Sequence, residues 1–148
     1  MSRTVLLDTS VLGLVSNPKP LPLIVACRQW AEVIVGQGGR VIVPEIADYE
    51  LRRELLRAQK TKSIAELNSL SPTFEYLPIT TVAMRKAAHF WAQARQQGQP
   101  TAGDNTIDCD MILVAQAITL GEPNVIVATT NVKHLSRFVP ADLWQNIS

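Results

Sequence analysis

Four short segments place an acid or an amide where a buried apolar run ends: Leu6-Leu7-Asp8-Thr9-Ser10, Tyr49-Glu50-Leu51, Asp108-Cys109-Asp110-Met111-Ile112 and Ala128-Thr129-Thr130-Asn131. Carboxylates taken out of water require a partner, and a divalent cation is the simplest one. The set reads as a metal site with Asp8 as its first ligand. Other chemistries find less support. His89 and His134 are neither paired nor placed beside a nucleophile, which gives each a surface or capping role, and no Ser or Cys has a base at a spacing that suggests covalent catalysis. A phosphatase or phospho-acceptor using Asp8 as nucleophile lacks the second acid two residues on. Gly36-Gln37-Gly38-Gly39 precedes a strand, the wrong way round for a phosphate loop, and Trp30, Trp91 and Trp144 are scattered as core residues are.

Each acid has a simpler role to set against ligation. Asp-Thr-Ser after a strand can cap the next helix, so Asp8 alone is divided between cap and ligand. Glu50 and Glu54 both lie near one helix face. Glu50 is nearer the helix start, and Glu54 is displaced roughly another 6 Å along the axis, where Arg57 or Lys60 can pair with it. Asp108 fits the N-cap of an apolar helix, whereas Asp110, inside the first turn, needs more than the helix dipole to offset its desolvation. Asp104, beside Gly103 and Asn105, suits a turn. Asn131 brings no charge; it can end a strand, hold water of a metal shell or hydrogen-bond a neighbouring carboxylate.

The elements that position these residues follow from periodicity and breakers. Residues 4–7 and 40–43 read as strands, 21–35 as a helix ended by the glycine cluster, and 45–60 as an amphipathic helix with Arg52, Arg53, Arg57 and Lys60 mostly off its apolar face. A short helix over 64–70, a strand over 75–78 and a long helix over 80–97 follow, then a polar loop over 99–105. Residues 107–120 are apolar on nearly every face, as in a helix packed inside the fold, and 125–128 form a short buried strand. This alternation predicts an α/β chain with a parallel sheet covered by helices on both faces. Ligands bind such sheets beyond the carboxyl ends of the strands, the edge at which Asp8, Glu50, Asp110 and Asn131 gather.

The chain of 148 residues, 47% hydrophobic and 18% charged, suits one domain able to bury a sizeable core, which excludes disorder. A formal net charge of +1 gives none of the global attraction of a strongly basic nucleic-acid binder, so any such contact must come from local patches. Cys27 and Cys109 have no zinc-type spacing and read as reduced thiols of a cytoplasmic protein. The apolar N-terminal stretch, broken by Asp8, is too short for a signal peptide or a membrane span.

Taken together, the segments resemble the PIN domain, the metal-dependent ribonuclease fold of VapC-like toxins. Leu6-Leu7-Asp8-Thr9-Ser10-Val11-Leu12 is similar to the family's opening strand and first acid, and Val43-Pro44-Glu45-Ile46-Ala47-Asp48-Tyr49-Glu50-Leu51 to the segment carrying the second. Asp110-Met111-Ile112-Leu113-Val114-Ala115-Gln116-Ala117 resembles the third motif, and Val127-Ala128-Thr129-Thr130-Asn131-Val132-Lys133-His134-Leu135 the fourth, a Thr-rich turn holding Asp or Asn. Each motif alone is weak; four in order across nearly the whole chain are specific.

The resemblance implies a single three-layer α/β/α domain over 1–148 with a central, mainly parallel sheet. It implies hydrolysis of RNA phosphodiester bonds, with Asp8, Glu50 and Asp110 as catalytic ligands of Mg or Mn, and with Thr9, Ser10 and Thr130 orienting the acids or the water. Asn131 stands where many members carry Asp, and Asp108 is the candidate to replace that charge. Arg52, Arg53, Arg57, Lys60 and Lys62 flank the Glu50 helix and would hold the RNA backbone without selecting a base. A homodimer and an antitoxin whose tail covers the acids are the implied partners, with the toxin half of a toxin-antitoxin pair as the implied role. The alternative is a PIN-like nucleic-acid-binding module with little nuclease activity.

Overall fold

The computed structural model describes residues 3–98 and 104–148, with the backbone alone for 104–107. Strand β1 (Thr4–Leu7) is buried at every position, which is why it carries an unbroken apolar run rather than an alternating one. It pairs in parallel with β2 (Arg40–Pro44) on one side and β4 (Val125–Ala128) on the other; Val5 lies opposite Val41 and Ile126, and Leu6 opposite Ile42 and Val127. With β3 (Glu75–Leu77) beyond β2 and β5 (Ala141–Asp142) beyond β4, the sheet has the order β3-β2-β1-β4-β5 and every pairing is parallel. Chain order reverses between β1 and β4, so the loops leaving these strands diverge and open a crevice at their carboxyl ends.

Seven α-helices occur among the described residues. Helix α1 (Thr9–Val15) starts on Asp8, and α2 (Pro22–Gly36) starts with proline at its first position, where the missing N–H costs nothing. These helices and Ala47 cover Val5, Leu7, Val41 and Val43 on one sheet face, together with Trp144 from the C-terminal 3-10 turn. The side chain of Leu6, one residue out of phase, faces the other layer with Ile42 and Val127 against α6 (Asp104–Thr119) and Leu135 of α7 (Val132–Leu135). Helix α5 (Thr81–Gln96), capped by Thr80, packs Ala83 and Ala87 against Met111 and Ala115 of α6. Because α6 lies between α5 and the sheet, it is apolar on nearly all sides, as its sequence requires. Gln116 is its buried polar exception: Oε1 accepts the Ile46 N–H at 3.3 Å and Nε2 donates to the Leu77 carbonyl at 2.9 Å, tying α6 to two neighbouring elements.

The helices expected over 45–60 and 64–70 are α3 (Glu45–Arg57) and α4 (Thr61–Asn68), the first ending and the second starting three residues early. Gln59 occupies the left-handed region at φ 56°, and the Lys60 and Gln59 N–H groups close back on the carbonyls of Leu55 and Leu56, a helix-ending pattern usually signalled by glycine. With glutamine instead of glycine at that position, the break expected between the two helices falls a few residues earlier than the sequence marks it. Part of the polar loop expected over 99–105 lies outside the described residues; 104 and 105, where a turn was expected around Asp104, already belong to α6. No helix among the described residues is long and apolar enough to cross a membrane.

Candidate active site

Asp8 leaves the end of β1 in extended backbone geometry and caps α1, its Oδ1 accepting the Val11 N–H at 3.1 Å and the Ser10 hydroxyl at 2.6 Å. Its Oδ2 accepts the hydroxyl of Thr129, which stands at the end of β4 across the crevice. Capping and site placement are one arrangement: the strand end that gives the helix its cap also puts the carboxylate at the switch point. Burial is the largest influence on its acidity and holds the carboxyl above its usual range, against the opposing hydrogen bonds from Ser10, Thr129 and the backbone.

Glu50 enters from the early turns of α3. The Thr9 hydroxyl donates to its Oε1, and Arg53 one turn on stands 4.0 Å from Oε2 while lying over the Tyr49 ring. Asp110 enters from α6 on the opposite wall, its carboxyl pushed up to about 7 first by burial and then by the charges of Glu50 and Asp8. Asp8, Glu50, Asp110 and Asn131 line one cavity of about 390 Å³ together with Thr9, Ser10 and Thr130. Thr130 reaches the acids indirectly, donating to Ser10 Oγ at 3.1 Å. Asn131 caps α7 without a side-chain capping bond, and its N–H donates to Thr129 Oγ1 at 2.9 Å.

Several expectations change here. Helix α6 begins at Asp104, so Asp108 is not its N-cap and Asp110 lies in its second turn rather than its first. Two residues turn a helix by about 200°, so Asp108 and Asp110 cannot share a face. Asp108 is exposed and lines a separate groove with Met84, Ala88 and Trp91 of α5; it does not join the acids. His134, read as a surface or capping residue, is buried, and its Nε2 stands 2.9 Å from Asp110 Oδ2 without the alignment of a full hydrogen bond. Thr129, not singled out in the sequence beside Thr130, is the hydroxyl on Asp8. Helix α7 has only four residues, too few for a periodicity that would have marked either.

The basic flank of α3 divides as well. Arg52 is bound to Asp48 at 3.0 Å and to Asn68 at 2.8 Å, and Arg57 to Glu54 at 2.8 Å, the pairing expected of Glu54. Arg53 alone of the three borders the acids, and Lys60 lies in a different cleft at the far end of α3. Cys109 also lines the acid cavity, but burial pushes its thiol up to about 11, which leaves it protonated and unsuited to attack or ligation at neutral pH.

Four carboxylates line the cavity; Glu54 is ion-paired with Arg57, which leaves Asp8, Glu50 and Asp110 from three elements as the donor set, with hydroxyls already orienting the first two. Oxygen donors of this kind suit a hard divalent cation, and the raised pKa of Asp110 records burial and neighbouring negative charge that a cation would relieve. Among the described residues no three His, Cys, Asp or Glu side chains stand close enough together to hold a metal ion between them as placed.

A family model for the PIN domain matches residues 5–137. The chain belongs to the PIN domain family. Solved structures similar to this PIN domain align over almost its whole length. VapBC-1 from nontypeable Haemophilus influenzae is 20% identical, with 97% of this chain and 99% of that one covered and a TM-score of 0.68. FitAcB from Neisseria gonorrhoeae is 22% identical, with 97% and 99% covered and a TM-score of 0.69. DNA-bound VapBC from Salmonella typhimurium is 19% identical, with 96% and 98% covered and a TM-score of 0.69. At such identities the likeness speaks for the PIN fold alone. No curated protein sequence matches the chain.

Proposed function

We propose that this PIN domain is a Mg²⁺- or Mn²⁺-dependent endoribonuclease and the toxin half of a toxin-antitoxin pair. The observation that carries the nuclease reading is the convergence of Asp8, Glu50 and Asp110 on one cavity, where Asp110 bears the repulsion of the other two. In this reading the three carboxylates hold the cation. Once bound, it supplies Lewis acidity toward water and positive charge toward the phosphate. The chain's own contribution is to hold the acids in place: Ser10, Thr129 and the Val11 N–H on Asp8, Thr9 on Glu50, and His134 beside Asp110. Thr130 acts through Ser10, and Asn131 supports Thr129 at the open side of the cavity. Arg53 at the rim offers a guanidinium to an approaching phosphate.

The antitoxin partner is supported by similarity to chains from VapBC assemblies, one of them, from Rickettsia felis, bound to a DNA fragment from their promoter. A homodimer and a cytoplasmic location complete the proposal; α5 exposes Val82, Met84 and Trp91, apolar surface that a second copy would cover. A second reading, a PIN module that binds nucleic acid with little cleavage, is favoured by the neutral Asn131 together with the placement of Asp108 outside the cavity. RNA cleavage compared in Mg²⁺, Mn²⁺ and EDTA, and repeated with Asp8→Asn and Asp110→Asn, separates the two. Cleavage that requires metal and both acids supports the nuclease; cleavage indifferent to either removes this site from the reaction.

A further inference from the structure

The acid cavity attracts cations and repels phosphates, so a polyanionic substrate must be held by charge elsewhere. Of the three arginines on α3, only Arg53 borders the acids; Arg52 is committed to Asp48 and Asn68, and Arg57 to Glu54. The chain has five lysines, Lys19, Lys60, Lys62, Lys86 and Lys133, and the first three line one cleft of about 600 Å³. The Asn17-Pro18-Lys19-Pro20 segment after α1 forms one wall, and the junction of α3 and α4 forms the other. All three lysines are exposed, no carboxylate lines the cleft, and no ion pair engages any of the three among the described residues.

The tertiary structure alone assembles this cleft. The left-handed Gln59 ends α3 and turns the chain so that Lys60 and Lys62 flank the start of α4, whose first turn has no side-chain cap. Two prolines fix the facing segment that carries Lys19. Helices α1 and α3 both start near the acids, where Thr9 meets Glu50, and both end at the cleft, where Asn17 and Leu55 share its lining. Gly13 of α1 lies over Leu51, and a Cβ added there would meet Leu51 Cδ1 at 3.7 Å. The acid cavity extends along this seam to Leu51 and Glu54, and the cleft begins at the next residue, Leu55. From Glu50 to the end of α3 the axis rises roughly 10 Å at 1.5 Å per residue, a span of a few nucleotides.

We propose that Lys19, Lys60 and Lys62 form a phosphate-backbone site that holds a single RNA strand along the α1–α3 seam, a few nucleotides from the bond presented to Asp8, Glu50 and Asp110. The proposal rests on the ribonuclease reading and deepens it. It keeps Lys60 and Lys62 of the basic flank, adds Lys19 from across the cleft, and leaves Arg53 as the phosphate contact beside the acids. Lysine ammonium groups read charge and not base identity, so the site contributes affinity and the direction of the strand without sequence choice.

The test is binding of a short fluorescent single-stranded RNA to the full chain in EDTA across a salt series. Wild type is compared with the triple variant Lys19→Ala, Lys60→Ala, Lys62→Ala and with the triple Lys→Arg variant. Alanine at all three positions is expected to weaken binding at least tenfold at low salt and to make the log–log salt slope shallower by about 2, since each single-strand phosphate contact contributes about 0.7. The arginine variant should retain the wild-type slope, and equal unfolding midpoints exclude a folding defect. Unchanged affinity and slope in the alanine variant overturn the proposal, as does wild type that binds no RNA. Loss of binding to polyglutamate but not to RNA overturns it in favour of an acidic protein partner. Metal-dependent cleavage by wild type is measured alongside: its absence removes the ribonuclease reading, whereas intact cleavage with an unchanged salt slope removes only the cleft.

Discussion

His134 and Asp110 meet beneath the acid cavity at 2.9 Å, Nε2 to Oδ2, while the other ring nitrogen of His134 receives an N–H from Arg137 at 2.8 Å. Arginine offers only donors, so Nδ1 must be the acceptor and Nε2 must carry the hydrogen. Burial and then the Arg137 charge hold the imidazole pKa below its ordinary value, in keeping with a neutral ring. That tautomer sets an N–H-bearing nitrogen beside Asp110, short of the alignment of a full hydrogen bond, and leaves no lone pair at Nε2 to offer a metal.

Replacing His134 should therefore loosen Asp110 without removing a ligand. His134→Ala is expected to weaken Mn²⁺ binding about 10- to 100-fold, and His134→Gln, which keeps a donor, to weaken it less. Calorimetric titration of Mn²⁺ measures both, and ¹⁵N chemical shifts of the imidazole report the tautomer. Equal Mn²⁺ affinity in wild type and His134→Ala, with equal unfolding midpoints, would show that His134 only fills space.

Asp8 joins a cap to a ligand, and two substitutions separate the roles. Asparagine caps as well as aspartate does, so Asp8→Asn should leave stability near wild type while abolishing metal-dependent cleavage. Asp8→Ala also loses the Val11 N–H partner and is expected to cost about 1 kcal/mol or more in urea unfolding. Full cleavage by Asp8→Asn would contradict the assignment.

The raised pKa of Asp110 makes the metal-free protein pH-sensitive. Burial and the charges of Glu50 and Asp8 push the folded carboxyl up to about 7 from the 3.8 of a free aspartate, so between these values the folded state holds a proton that the unfolded chain has released. Stability must then fall as pH rises from about 4 to about 7 and level off above. Thermal unfolding in EDTA should show a downward trend in wild type that is flattened in Asp110→Asn, and Mn²⁺ should raise the midpoint most at the upper end of that range. Parallel pH profiles for wild type and Asp110→Asn would refute the coupling.

Local pattern determined much of this protein. Apolar runs bounded by breakers are short-range signals, and they marked the buried strands, α2, α5 and the apolar α6, with Asp8 at a strand end and Asp110 on an inner helix. Their alternation implied a parallel sheet, and the parallel sheet implied where a ligand binds. Residue choice at a helix end is less binding, which is why α3, with Gln59 past its end, stops a few residues before the point the sequence marks.

Tertiary structure decided which side chains meet. Thr129 reaches Asp8 across 121 residues of sequence because parallel pairing of β1 and β4 sets Leu7 beside Ala128, so the next residue of each strand faces the other. Asp108 and Asp110 are separated by helical rotation, which the sequence could not apportion between inside and outside until α5 covered one flank of α6. His134 joins the acids, and Lys19 joins Lys60 and Lys62, through long-range packing alone. Contacts of that kind depend on the relative placement of whole elements, which follows from burying their shared apolar faces and leaves no periodic trace at the residues it brings together.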